Sequence, residues 1–314
     1  MVRAWIVLAG LTTVAAADPS PPVALVARGE ALWGKSCPTP NSDDLCVARV
    51  AARSDSGHCH SDGSLLTATP RVAALAQQAQ ALFARVVELC PKTETCPEAT
   101  VEVAQARLRL ADHTLEALLA LSPPSGLNFS PPDADGKPAV RARQQRRLDG
   151  AKARFKAAVD AALRLHKEAS DGYGAVAVGS GRRSLRAVER IGRLHEALAS
   201  WLRRVPVPTV SVPAPGVDEQ EWRALFRDGF CEQMAVQSRR LDEKAAQAYE
   251  ECVTRAQQRS VDEGPCAREA ERIRAWLARP VPPAPVRNAA PLEPRQPDHG
   301  GAGVFGVDPG TVKQ

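Results

Sequence analysis

Between Arg71 and Cys90 the apolar residues fall at steps of three and four. Val72, Leu75, Ala79, Leu82, Phe83, Val86, Val87 and Leu89 share one side of a helical projection, the mark of an amphipathic helix that Pro91 stops. A second helix is expected after Thr95-Cys96-Pro97-Glu98, running to about Leu121 with Val101, Ala104, Leu108, Ala111, Leu115, Leu118 and Leu119 on its apolar face. Only "PKTETC" separates the two, and so short a connection predicts antiparallel neighbours. After the Pro/Gly-rich break "SPPSGLNFSPPDADGKP", a third helix is predicted over about 139–170. It opens on Arg141, Arg143, Arg146 and Arg147 and turns apolar later, at Phe155, Val159, Ala162, Leu163 and Leu165. The glycines of "GYGAVAVGSG" (172–181) are read as its interruption. A fourth helix follows over about 182–204, with Leu185, Val188, Ile191, Leu194, Leu198, Trp201 and Leu202 facing a core.

The flanks are less periodic. Residues 18–30 read as a loose lead-in, with a short helix in "ALVARGEALWGKSC" ending near Gly34, and residues 38–69 as loop. "VPVPTVSVPAPG" (205–216) should be extended, ahead of helices at about 218–259 and 263–279. The organisation expected is a Cys-containing N-terminal segment (18–69), a helical region (70–204), a Pro-rich linker (205–217), a C-terminal helical pair (218–279) and a disordered Pro/Gly-rich tail (280–314). The fold class is all-α.

Composition adds a compartment. "MVRAWIVLAGLTTVAAADPS" has a charged start, an apolar stretch too short to span a membrane, and small residues before Asp18; residues 1–17 read as a signal peptide. No later segment is apolar and long enough to cross a membrane, so the expectation is an exported protein without an integral membrane segment. Past residue 17, 40 basic and 36 acidic residues give a mild net +4 on a charge-rich surface. Aromatics make up 4% of the chain and none interleaves with the basic runs "RARQQRR" and "GRRSLR". Base stacking, and with it nucleic acid as partner, finds no support. Those runs read as solvated helix faces, with an acidic partner such as anionic lipid or polysaccharide as the other reading.

Eight cysteines in an exported chain read as disulfides. Cys90 and Cys96 flank the turn between two predicted antiparallel helices, and Cys252 and Cys266 lie near the facing ends of another pair. Cys231 and Cys252 share one predicted helix, about 30 Å apart at 1.5 Å per residue, beyond bridging distance. Cys231 therefore needs a distant partner, and Cys37, Cys46 and Cys59 are the candidates.

Reaction chemistry is harder to find. "SDSGHCHSDGS" sets Cys59 between His58 and His60, but adjacent residues do not readily converge on one ion and no second ligand pair accompanies them. His113, His166 and His195 stand alone on predicted helices. "GYGAVAVGSGRR" follows a helix rather than a strand and lacks the spacing of a phosphate loop. No nucleophile motif is recognisable. The expectation is no catalytic residue, no metal and no cofactor.

Four stretches in order carry a resemblance: "LWGKSCPTPNSDDLCVA" (32–48), "VAQARLRLADHTLEALLALSPPSGLNF" (103–129), "YGAVAVGSGRRSLRAVERIGRLHEALASWLRRVPVP" (173–208) and "DEKAAQAYEECVTRAQQRSVDEGPC" (242–266). Together they resemble a group of exported, helical, tetratricopeptide-type proteins of myxobacteria, one of which belongs to the gliding-motility machinery of the cell envelope. The resemblance implies degenerate TPR-like hairpins and a periplasmic adaptor binding envelope proteins through helical surfaces. It also implies a cysteine after the Cys37…Cys46 segment that pairs in a disulfide. The candidate pairs are then Cys90–Cys96, Cys252–Cys266, Cys37–Cys46 and Cys59–Cys231. Arg190, Trp201, Trp222 and Tyr249 are the candidate interaction surface. The alternative reading is a small-molecule or polysaccharide binding module with a pocket between helices.

Overall fold

The computed structural model describes residues 21–38, 45–51, 59, 64–91, 96–133, 135–179, 181–211 and 218–279. The segments read as signal peptide and tail lie outside them. Seven α-helices and one hairpin make up the described chain: α1 (Pro22–Ser36), β1 (Val47–Ala51), β2 (Ser64–Ala68), α2 (Ala73–Leu89), α3 (Thr100–Ala120), α4 (Pro138–Ala177), α5 (Arg182–Arg203), α6 (Glu219–Gln258) and α7 (Gly264–Leu277). A single 3₁₀ turn, Pro97–Ala99, leads into α3.

Local chemistry explains the boundaries. Proline sits in the first turn of α1, α4 and α7, where its missing N–H costs nothing. The Asp218 side chain accepts from the Glu221 backbone N–H at 2.7 Å and caps α6. Gly181, at φ +84°, turns the chain between α4 and α5.

Three expectations need correction. The lead-in is not loose: α1 begins at Pro22 and buries Leu25, Val26 and Trp33 against Phe83 and Val86 of α2. The segment 38–69 is not all loop: β1 and β2 pair antiparallel, Val47 opposite Ala68 and Ala51 opposite Ser64. Leu66 fills the core from this hairpin, and its N–H donates to Ser200 Oγ of α5 at 3.0 Å. The surrounding Ser, Asp and Gly residues masked a short strand pair that takes its stability from the helices beneath. Finally, the break expected over 172–181 is narrower than that stretch: α4 runs on through Gly172 to Ala177 and α5 begins at Arg182. A Cβ at Gly172 would lie 2.9 Å from that of Ala111 on α3, so this glycine permits close helix approach rather than a break.

Three apolar clusters hold the elements. One joins α1, α2 and the start of α3. The largest spans the hairpin, α3, α4, α5 and α6. The third lies between α6 and α7 around Tyr249 and Ile273. Beyond α5 the chain is extended, and Thr209 exchanges backbone hydrogen bonds with Leu127 and Phe129. Four disulfides close Cys37–Cys46, Cys59–Cys231, Cys90–Cys96 and Cys252–Cys266. Among the described residues, no helix is long and apolar enough to cross a membrane.

Candidate functional site

Charged residues on two central helices interrupt the apolar stripe at helical spacing: Arg109, Asp112 and Glu116 on α3, and Glu189, Arg190, Arg193 and Glu196 on α5. All seven are buried. Burying an ion costs several kcal/mol unless its partners are well placed, so their hydrogen bonds decide what the site is.

Arg109 reaches both carboxylate oxygens of Glu30 on α1, each at 2.7 Å, and a third nitrogen lies 3.2 Å from Asp112. Asp112 also accepts from the Tyr173 hydroxyl of α4 at 2.9 Å and pairs with Arg190 Nε at 3.3 Å. Arg190 donates to Glu189 at 2.8 Å, and Glu189 in turn receives Arg193. One helical turn on, Glu196 gathers Arg49 of β1 at 2.8 Å, Arg272 of α7, and the Tyr249 hydroxyl of α6 at 3.3 Å. Glu269 of α7 completes this second group, accepting from Arg49 at 2.9 Å and Arg272 at 2.7 Å. A third knot joins Arg71 to Glu116 at 2.6 and 2.7 Å, with the guanidinium 3.6 Å over the ring of Trp33. Glu116 also accepts the Cys46 N–H at 2.8 Å, so the first disulfide is anchored to α3. At the far end of α5, Asp242 accepts from Arg203 and from Trp276 Nε1.

Protonation follows from these contacts. Burial and the neighbouring Asp112 raise the Tyr173 hydroxyl well above its ordinary range, and burial with Glu196 does the same for Tyr249. Both remain proton donors to carboxylates. Burial opposes the Arg190 charge, but Glu189 and Asp112 outweigh it and raise its pKa. Glu269 is likewise held below the usual carboxylate range against its burial, by Arg49 and Arg272.

His166 and His195 are not solitary: α4 and α5 bring their ring nitrogens to 3.1 Å. Burial, with Lys244 nearby, lowers His166 to about 4; burial, then His166 and Lys244, lowers His195 to about 3. The pair is neutral near pH 7, one ring donating to the other. No group of three or more His, Cys, Asp or Glu that could hold a metal occurs among the described residues. Of the His-Cys-His stretch only Cys59 is described, and it is bonded to Cys231.

The candidate surface residues fare differently from expectation. Arg190, Trp201 and Tyr249 are 1%, 0% and 0% exposed and cannot form an interaction surface. Trp201 belongs to the core through the apolar period of α5, Tyr249 through its contact with Gly192, and Arg190 through its ion pairs. Tyr249 packs flat against Gly192, where a Cβ would come within 2.6 Å of its ring. Only Trp222 is partly exposed. The apolar period alone does not reveal the charge network, although one signal is present: Glu189, Arg193 and Glu196 follow Leu185 at steps of four, four and three, continuing its side of the helix.

These contacts define a disulfide-stapled helical protein whose buried charged groups pair across helices, while Trp201 Nε1 and Arg204 Nε are buried without a hydrogen-bond partner among the described residues. The chain matches no protein-family model, no curated protein and no solved structure.

Proposed function

We propose that the protein is a non-catalytic scaffold of the cell envelope, exported to the periplasm, that binds envelope proteins through its helical surfaces. One observation carries this reading: the buried acids, bases and histidines are engaged with each other across α1, α3, α4, α5, α6 and α7. Such a network fixes helix positions and leaves outward faces for recognition. The four disulfides suit an oxidising compartment, and the resemblance to the myxobacterial group favours an association with motility. The docking face is assigned to the front of α6, where Leu225 and Val236 are 47% and 41% exposed beside the half-buried Trp222. A ligand pocket lined by Arg190 and Trp201 is disfavoured, since both are buried in contacts.

Crosslinking in intact cells followed by mass spectrometry tests the proposal. Envelope proteins should be recovered with crosslinks on α6, and Leu225→Lys should remove them while leaving the circular dichroism unchanged. Recovery of no envelope protein above background overturns the scaffold reading.

A further inference from the structure

The basic residues of this chain are unevenly placed. Lys137–Lys156 contains five arginines and three lysines but one acid, Asp149. That stretch carries a net +7 against +5 for the whole chain, so the remainder is slightly acidic. The stretch forms the first half of α4 and, with Lys137, its N-cap.

The fold holds this half-helix outward. α4 runs antiparallel to α5, as the contacts of His166 with His195 and of Ala177 with Ser184 require. Nearly twenty residues of α4 therefore continue past the last turn of α5, a length of about 30 Å. Leu148 and Ala151 are its buried residues there, and Phe155 packs edge-on against Phe129. Arg143, Arg146, Arg147 and Arg154 lie on the other side, within an arc of about 100° at 3.6 residues per turn, and all four are exposed. Arg143, Arg146 and Arg154 make no ion pair among the described residues. Arg147 has a 3.4 Å contact to the Ser130 carbonyl, and Lys156 is paired with Asp160. Small residues, Gly150 and Ala153, stand between Arg147 and Arg154.

We infer that this face binds an anionic phospholipid surface. Three features choose that partner. The arginine arc has no aromatic, and the one sizeable apolar side chain at its edge is Val140, 39% exposed; a protein interface takes most of its affinity from large buried anchors, which the arc lacks. Without an aromatic it cannot stack on bases. Its charges are spread along a continuous helix, matching a partner whose negative charge is laterally continuous; each cation near such a surface contributes about 1 kcal/mol. The contact is adsorption, without insertion, and it orients α4 along the bilayer. The inference does not depend on the scaffold reading.

Flotation of the full chain with vesicles tests it. The protein should float with equimolar phosphatidylglycerol and phosphatidylcholine, remain behind with phosphatidylcholine alone, and detach at molar salt. Arg143→Glu/Arg146→Glu/Arg154→Glu should lower the partition coefficient by about 100-fold or more, from about fivefold per cation; the Arg→Gln version of the same variant should give a smaller loss. Reversing the same number of charges elsewhere, as Lys35→Glu/Arg182→Glu/Arg268→Glu, should retain most binding. Equal binding to both vesicle types, equal loss in both triple variants, or absence of vesicle binding overturns the inference. Binding to polyglutamate without vesicle binding would assign the face to an acidic polypeptide instead.

Discussion

Arg190 lies between two carboxylates with 1% of its surface exposed. Replacing it by methionine leaves Asp112 and Glu189 with less positive charge in a buried site, and Arg190→Met should cost about 3–5 kcal/mol. Urea unfolding measures that cost; wild-type stability in the variant would mean that the network contributes nothing. The histidine pair gives a pH dependence with a definite sign. Both rings titrate below their ordinary 6.5, so the unfolded chain binds more protons below that pH and stability falls. The loss should begin near pH 6.5 and grow until about pH 3, reaching on the order of 3–5 kcal/mol for each ring. His166→Gln/His195→Gln should flatten the profile in that window, read by urea midpoints at successive pH values; an unchanged slope would exclude the pair as its source. Neither arrangement was legible beforehand. A histidine on a predicted helix carries no information about which helix faces it, and charges within an apolar register reveal burial only once their partners from distant segments are known.

The helices were legible where the apolar period was clean. α2, α3 and α5 occur over nearly the spans the period defines, because each buries one continuous stripe. The hairpin was not, since its five-residue strands carry too short an alternation and their stabilising contact is Ser200, more than 130 residues away. Gly172 misled for a related reason: a glycine that permits close contact and one that ends a helix look alike in sequence. The link with the longest reach is Cys59–Cys231, with a sequence separation of 172. It ties the N-terminal segment to the front of α6. Cys59→Ser/Cys231→Ser should lower stability by about 2–5 kcal/mol, and hydrogen exchange should accelerate first around Phe226–Met234. Uniform protection along α6 in that variant would show that packing alone holds it.

Across the whole molecule, the three apolar clusters are bridged by ion pairs: Glu30–Arg109 joins the first to the second, and Arg272–Glu196 the second to the third. Unfolding should therefore be a single cooperative transition. Trp33, Trp201 and Trp276 belong to or pack against the three clusters in turn, so variants keeping one of them as sole reporter measure each cluster separately. Their urea midpoints should coincide with that of far-ultraviolet circular dichroism, and separated midpoints would reveal independent units.

The Cys59–Cys231 link also sets a schedule. A chain is made from its N-terminus, at about 5–20 residues per second, so Cys37–Cys46 and Cys90–Cys96 can close while α6 does not yet exist. Cys59 must wait as a thiol until residue 231 has followed it, with Cys46 13 residues before it and Cys90 31 residues after it in the chain. Oxidation in strict order of appearance would trap the wrong partner. Any chain trapped in that way needs disulfide exchange as well as disulfide formation, and the yield should then rise with an isomerase and not with an oxidant alone.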